Sequence, residues 1–258
     1  MCIVQFDFTF EGLLTVVFEA YARRSFPDRL LSEAEPLPLF YDQTYCVTTD
    51  TRKAERVWRG LQKKLSASAL QAFMEVWLAE EPETPLLLFR YSCKAIEATG
   101  SIETNFGDPV VLEFSRMWKR VDWERTRLMQ FVRFQKAADG TFFAAVEPEK
   151  NALPLAVEHF RDRFADQRWL IYDLKRCYGF YYDGRELRKV TVEAGDARAR
   201  HLITGMLDES LMDREELLFQ NLWKTYFKAI CIKERMNPRK QRQDMPVRYW
   251  KHLTEKQP

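Results

Sequence analysis

Two Asp-Gly pairs place the strongest constraint on the fold of this sequence. Asp139-Gly140 lies between FVRFQKA and TFFAAVEP, and Asp183-Gly184 lies between YGFYY and RELRKVTV. Each pair therefore separates two stretches in which apolar and polar residues alternate. Asp-Gly between such stretches is a strong hairpin signal, because these residues tolerate the positive φ angles of a two-residue turn. The sequence predicts two β-hairpins within residues 131–192.

A helix and one more strand separate the two hairpins. Residues 152–164 have helical spacing, and residues 169–175 are typical of a strand. The order strand, strand, helix, strand, strand, strand predicts an antiparallel sheet with a helix crossing one face. Residues 2–8 also alternate, and we expect them to add a strand to this sheet.

Helical spacing dominates much of the remaining chain. Helices are predicted at residues 10–24, 51–65, 67–80, 85–98 and 109–129, with a proline-rich loop at 25–45. A polar link around Glu193 to Asp208 leads to a last long helix, which begins near Asp213 and ends before Pro238. A chain of 258 residues can bury a large core. The prediction is a single α+β domain over residues 1–258. Its helical part covers about 50–130, its sheet part 131–192 with strand 2–8, and its C-terminal helix with a basic tail 213–258.

The positive charge of the chain is concentrated near its end. Residues 233–256 contain eight Lys or Arg against three acids, a local charge of +5, whereas the whole chain carries only +2. Such an asymmetry indicates an anionic partner.

Two basic segments are candidate nucleic-acid-binding surfaces. In the helix at 51–65, four cations fall within roughly 60° of one another and form a ridge about 16 Å long: Arg52, Arg56, Arg59 and Lys63. The tail interleaves cations with aromatic residues that could stack on an unpaired base: Arg239, Lys240, Arg242, Arg248, Tyr249, Trp250 and Lys251. The alternatives are a solvated helix face, and a tail docked on the core through Trp250 and Leu253.

Signals for catalysis are weak. The three histidines are isolated, and the sequence has no P-loop, Rossmann glycine pattern, nucleophile elbow or closely spaced cysteine set, so we expect no metal and no cofactor. Asp173 and Lys175 are weak catalytic candidates, because an acid and a lysine two residues apart on a strand resemble the metal-binding acid and the lysine of restriction-type nucleases. A surface ion pair is the other interpretation.

The cysteine pattern and the hydropathy of the chain predict its cellular location. Five scattered cysteines without a C-x-x-C pair are typical of free thiols in a reducing compartment. Neither a signal peptide nor an apolar run of membrane-spanning length is present, so a cytoplasmic protein without membrane contact is predicted.

Four segments of the chain carry a family resemblance: KAERVWRGLQKKLS (53–66), FVRF (131–134), EPEKNALPLAVEHFRDRFADQRWLIYDLKRCYGFYYDG (147–184) and FKAICIKERMNPRKQRQDMPVRYWKHLTE (227–255). Together they resemble a bacterial family of uncharacterised proteins labelled probable DNA metabolism proteins. The resemblance runs from about Phe6 to Glu255. The chain departs from the family pattern at Lys150, and also at Asp244 and Val247, which weaken or remove possible phosphate contacts in the tail.

The resemblance implies a function by association. Members of the family are encoded beside a putative DNA repair or modification radical SAM protein, and a related domain is fused to uracil-DNA glycosylase-type domains. The leading hypothesis is an accessory protein that binds DNA or RNA in DNA repair or base modification, together with a radical SAM partner. The alternatives are a metal-dependent DNA phosphodiesterase using Asp173 and Lys175, and a non-enzymatic scaffold whose basic surfaces bind an acidic protein. The oligomeric state is not predicted.

Overall fold

The computed structural model describes residues 1–191, 207, 209–230, 232 and 235–256. Contacts between Cα atoms divide the chain into two compact units, Met1–Asp122 and Trp123–Pro258. Helices and strands occur in both units, which confirms the α+β class. In the described ranges, no helix has both the length and the apolar character needed to cross a bilayer.

The first unit contains three strands and most of the helices. Its elements are β1 (Cys2–Phe6), α1 (Phe10–Arg23), β2 (Arg29–Ser32), β3 (Gln43–Val47), α2 (Thr51–Lys64), α3 (Ala67–Trp77) and α4 (Thr84–Glu97), and α5 (Pro109–Phe131) begins in it. Helix α1 packs against α2 and α4. The aromatic core includes Phe73 and a stacked pair, Tyr91 and Phe114, whose ring centroids lie 3.9 Å apart.

The first strand corrects one prediction. Strand β1 does not join the sheet at 131–192, because it is the central strand of a separate parallel sheet of order β2-β1-β3. Strand β2 lies inside the segment 25–45 that we expected to be a loop, and β3 begins inside it. Their prolines flank the strands rather than interrupt them, and the pairing with β1 is a tertiary effect that local spacing does not report.

The second unit contains the sheet that the Asp-Gly pairs predict. Its elements are β4 (Gln135–Lys136), β5 (Phe142–Val146), α6 (Leu153–Arg163), β6 (Trp169–Asp173), β7 (Tyr178–Tyr182) and β8 (Leu187–Thr191), paired in sequence order. Both hairpins are confirmed, and the turn glycines Gly140 and Gly184 have φ angles of 81° and 94°. Helix α6 packs on one face, where Val157 and Phe160 meet Trp169 and Ile171.

The expected antiparallel pattern is wrong for one pair of strands. Strands β5 and β6 are parallel, with Ala144 opposite Ile171, so the sheet is mixed. The physical reason is the crossing helix. Helix α6 returns the chain to the edge at which β5 began, and a helical crossover of this kind joins parallel strands.

The expected C-terminal helix is present as α7, Glu216–Ala229, and it is shorter than predicted. Helix α8 covers Pro238–Asp244, and a 3₁₀ helix covers Val247–His252, within the segment that we expected to be a tail. Pro238 begins α8, whereas α7 ends at Ala229. The Asn237 side chain accepts a hydrogen bond from the Lys240 N–H at 3.0 Å, which suits proline in the first turn.

Two expectations fall on residues that are not described. Apart from Leu207, the polar link around Glu193 to Asp208 lies outside the described residues, as does Cys231. The other four cysteines are free thiols.

Candidate nucleic-acid interface

Helix α2 forms for local reasons. The Asp50 carboxylate accepts hydrogen bonds from the backbone N–H groups of Arg52 and Lys53, at 2.9 and 3.1 Å, and so caps the helix. Ala54, Val57 and Leu61 are buried on one face, while the opposite face is exposed. The predicted amphipathic arrangement is therefore confirmed.

The exposed face of α2 carries the four predicted cations, which we call the basic ridge: Arg52, Arg56, Arg59 and Lys63. Arg59 is paired with Glu55 at 3.1 Å, and both of these side chains are largely exposed. The Arg56 guanidinium lies 5.5 Å from the ring centroid of Phe18. Within the described ranges, Arg52 and Lys63 have no ion pair, so their charges are open to an anionic ligand.

Two further cations lie at the side of the ridge and were not predicted from the sequence. The Glu19 carboxylate on α1 accepts hydrogen bonds from Lys53 at 2.6 Å and from Arg23 at 2.8 Å. These bonds lower the pKa of Glu19, chiefly through Lys53 and then through Arg23. Glu19 therefore stays ionised and holds both cations in place. The i,i+4 spacing of Glu19 and Arg23 was a visible signal, but the contact with Lys53 depends on how α1 packs on α2.

The second half of the tail is docked on the second unit. The Arg248 guanidinium donates a 2.6 Å hydrogen bond to Glu124, whose side chain is only 2% exposed. Lys251 is paired with Glu147. The Tyr249 ring is 5% exposed and packs against Phe131, with ring centroids 5.6 Å apart.

These contacts show how part of the predicted site is packed. The Tyr249 ring is buried in this conformation, and its stacking on a base stays a prediction. Arg248 and Lys251 are held by carboxylates, and Leu253 is fully buried. Residues 248–253 therefore follow the docking interpretation that the sequence left open.

The first half of the tail remains exposed. Arg239, Lys240 and Arg242 lie on α8, and of the three only Lys240 has an ion pair within the described residues, to Asp244 at 2.9 Å. Trp250 is half-buried and donates its indole N–H to the Met245 carbonyl at 3.0 Å. The basic ridge lies in the first unit and α8 in the second.

Asp173 and Lys175 lie at the turn between β6 and β7. The fully buried Asp173 carboxylate accepts hydrogen bonds from the backbone N–H groups of Lys175 and Arg176, at 2.9 and 3.2 Å, and from the Arg176 guanidinium at 2.9 Å. Burial raises the pKa of Asp173, and the contact with Arg176 opposes this effect. Lys175 donates to the Glu149 carbonyl at 3.1 Å.

This arrangement gives the pair an evident structural role, because three protein donors already occupy the carboxylate. Among the described residues, no group of three or more His, Cys, Asp or Glu side chains could hold a metal ion. The phosphodiesterase hypothesis stays a prediction.

Of three comparisons with known proteins, one gives a match, to a protein family. No curated protein and no solved structure matches the chain. A family model described as a domain of unknown function, DUF4130, matches residues 82–255. The matched region includes the second unit and the docked tail, whereas the basic ridge precedes it. Because the match covers more than half of the chain, this protein belongs to the DUF4130 family.

Proposed function

We propose that this protein binds nucleic acid through the basic ridge of α2. The observation that carries the proposal is the placement of four cations on one exposed helix face whose opposite face is buried. Phosphates along one DNA strand repeat at about 3.4 Å, so a ridge about 16 Å long spans several of them. The exposed pair of Arg59 with Glu55 is weak, and a phosphate can replace the carboxylate at little cost.

The proposal extends to the role that the sequence resemblance implies. In that role the chain is an accessory protein in DNA repair or base modification, and a radical SAM partner supplies the chemistry. The exposed cations of α8, Arg239 and Arg242, provide further phosphate contacts. A scaffold that binds an acidic protein through the same cations is the competing explanation, and direct binding to nucleic acid separates the two.

A salt series tests the proposal. Fluorescence anisotropy of a labelled duplex and a labelled single strand gives the binding constant at salt concentrations between 50 and 300 mM. The four ridge contacts alone predict a slope of log K against log salt of about −3.6 for duplex and about −2.8 for single strand, and contacts from Arg239 and Arg242 make the slope steeper. The double variant Arg52→Gln/Lys63→Gln should reduce the magnitude of the duplex slope by about 1.8 and weaken binding at low salt.

A matched control removes the same charge elsewhere. Arg116 and Lys119 are exposed cations on α5 in the same unit. The variant Arg116→Gln/Lys119→Gln should keep the wild-type slope. Salt-independent binding, no binding at 50 mM salt, or equal losses in the two double variants each contradict the proposal.

A further inference from the structure

The loop between β2 and β3, residues 33–42, presents two neighbouring apolar side chains to solvent. Leu39 is 93% exposed and Phe40 is 86% exposed, more than any other large apolar side chain in the described ranges. Isolated apolar side chains are common on protein surfaces, but two adjacent and almost fully exposed ones leave a large apolar area in water. We call Leu39 and Phe40 the apolar tip.

The backbone of this loop is held at both ends. The Gln5 amide donates a hydrogen bond to the Glu35 carbonyl at 3.0 Å, and the Asp42 N–H donates to the Met1 carbonyl at 3.0 Å. Pro36 and Pro38 fix their own φ angles between these two anchor points. A loop restrained in this way loses little conformational entropy on binding, so exposed apolar groups at its tip are effective contacts.

The charge of the loop restricts what the tip can bind. Residues 33–42 include Glu33, Glu35 and Asp42 and no Lys or Arg. Asp42 is paired with the amino group of Met1, whereas Glu33 and Glu35 have no ion pair within the described parts of the chain. Glu33 and Glu35 accept hydrogen bonds from neutral donors, the Cys46 thiol and the Ser32 N–H. Their negative charge lies in the same loop as the tip and repels phosphates, which disfavours insertion between nucleic-acid bases or into an anionic membrane.

We infer that the apolar tip docks into an apolar pocket of a partner protein whose rim carries Lys or Arg side chains facing Glu33 and Glu35. The pocket removes Leu39 and Phe40 from water, and the basic rim complements the two carboxylates. This interface is separate from the basic ridge and is independent of nucleic-acid binding.

Site-specific photo-crosslinking identifies the partner. The photoreactive residue p-benzoylphenylalanine replaces Phe40 in the full chain, in cells that natively contain the protein. The control places the same group at Phe106, a half-exposed aromatic residue in another loop of the first unit. The inference expects one protein to crosslink from position 40 and not from position 106.

Binding by the purified proteins decides the inference. The crosslinked protein is purified, and its affinity for the full chain is measured by isothermal titration calorimetry. Leu39→Ser/Phe40→Ser should weaken binding at least about 30-fold, as expected when two central apolar contacts are lost. Glu33→Lys/Glu35→Lys should also weaken it, and added salt should lower the wild-type affinity.

Several outcomes overturn the inference. The first is a crosslink from position 40 only to nucleic acid, lipid or a second copy of this chain. The second is a crosslink no stronger than that of the control. The third is an affinity between the purified proteins that neither double variant changes. Leu39→Ser/Phe40→Ser should leave the unfolding temperature and the DNA salt slope unchanged. A lower unfolding temperature shows that the tip packs within the chain, and a weaker DNA affinity shows that it contacts nucleic acid. Either result also overturns the inference, while a failure of DNA binding by wild-type protein leaves it intact.

Discussion

At the scale of single residues, one buried carboxylate connects distant parts of the second unit. Glu124 on α5 accepts hydrogen bonds from the Glu149 N–H and from the Arg248 guanidinium, both at 2.6 Å. Arg248 is separated from it by more than a hundred residues of sequence. A buried carboxylate with a charged partner is costly to disturb, because removing its charge leaves Arg248 only the more distant Glu149 carboxylate, at 3.5 Å.

Replacing this carboxylate should destabilise the protein. Glu124→Gln keeps the shape of the side chain but removes its charge, and we expect the free energy of unfolding to fall by about 1.5–3 kcal/mol. Urea unfolding measures the change, and limited proteolysis should cut the released tail faster. Glu55→Gln, which breaks only the exposed pair with Arg59, is the control and should change stability by less than about 1 kcal/mol. Equal effects of the two substitutions contradict the anchoring role of Glu124.

A single histidine should make stability depend on pH. Burial, and then the neighbouring Lys251, lower the pKa of His252 below its ordinary 6.5, against the opposing effect of Glu147. Below pH 6.5 the unfolded chain therefore binds a proton that the folded chain does not bind. The contribution of His252 to stability is complete above pH 6.5 and is lost as the pH falls towards the lower pKa of the folded state.

This dependence can be measured by urea unfolding at several pH values between 7.5 and 5. We expect the wild-type free energy of unfolding to decrease over this range and His252→Gln to reduce that decrease. His159 is exposed, and His159→Gln should behave like wild type. If the two variants show the same pH dependence, the assignment to His252 is wrong.

At the scale of secondary-structure elements, local chemistry explains the parts that the sequence predicted well. The caps at Asp50 and Ser66 begin α2 and α3, and the two turn glycines have the positive φ angles that Asp-Gly hairpins require. Each of these signals lies within a few residues of the element that it defines. For this reason the helices and hairpins are close to their predicted bounds.

Two glycines test the role of local backbone conformation, because replacing them by alanine should change stability in opposite directions. An added Cβ meets no atom within 4 Å at Gly60 or at Gly184, so packing is not a factor at either site. Gly60 lies inside α2, and Gly60→Ala should stabilise the protein by about 0.5–1 kcal/mol. Gly184 has a φ angle of 94°, and Gly184→Ala should destabilise it by about 1–2 kcal/mol, since L-residues disfavour that conformation.

Thermal unfolding of both variants beside wild type measures the two effects. Opposite shifts in the unfolding temperature are expected, with similar secondary structure in the folded state. Shifts of the same sign contradict the argument that the φ angle alone separates the two positions.

Pairing between elements was predicted less well than the elements themselves. Strands β2 and β3 are short, lie in a proline-rich segment and exist as part of a sheet through β1. The parallel pairing of β5 with β6 likewise depends on the path of α6. Alternation of apolar residues reports which side of a strand is buried, but it does not report the direction of a neighbouring strand.

At the scale of the whole molecule, the difference between local spacing and distant contacts also separates the two halves of the candidate site. The basic ridge could be predicted because a helix face depends on spacing within fourteen residues. The ion pairs of the tail could not be predicted from spacing, because the partners of Arg248 and Lys251, Glu124 and Glu147, are more than a hundred residues away in sequence. A count of tail charges contains no information about such pairs. Of the cations predicted to bind phosphate, those of the ridge and of α8 have exposed side chains.

The position of β1 at the centre of the parallel sheet has a consequence for biosynthesis. Both neighbours of β1 follow it in sequence, and β3 ends only at Val47. On the ribosome, this apolar strand therefore emerges before both of its neighbours. About 26 further residues are needed before β2 can pair with one edge, and about 41 before β3 can pair with the other. During that interval the nascent chain exposes an aggregation-prone segment, and chaperones that shield such segments should bind it there.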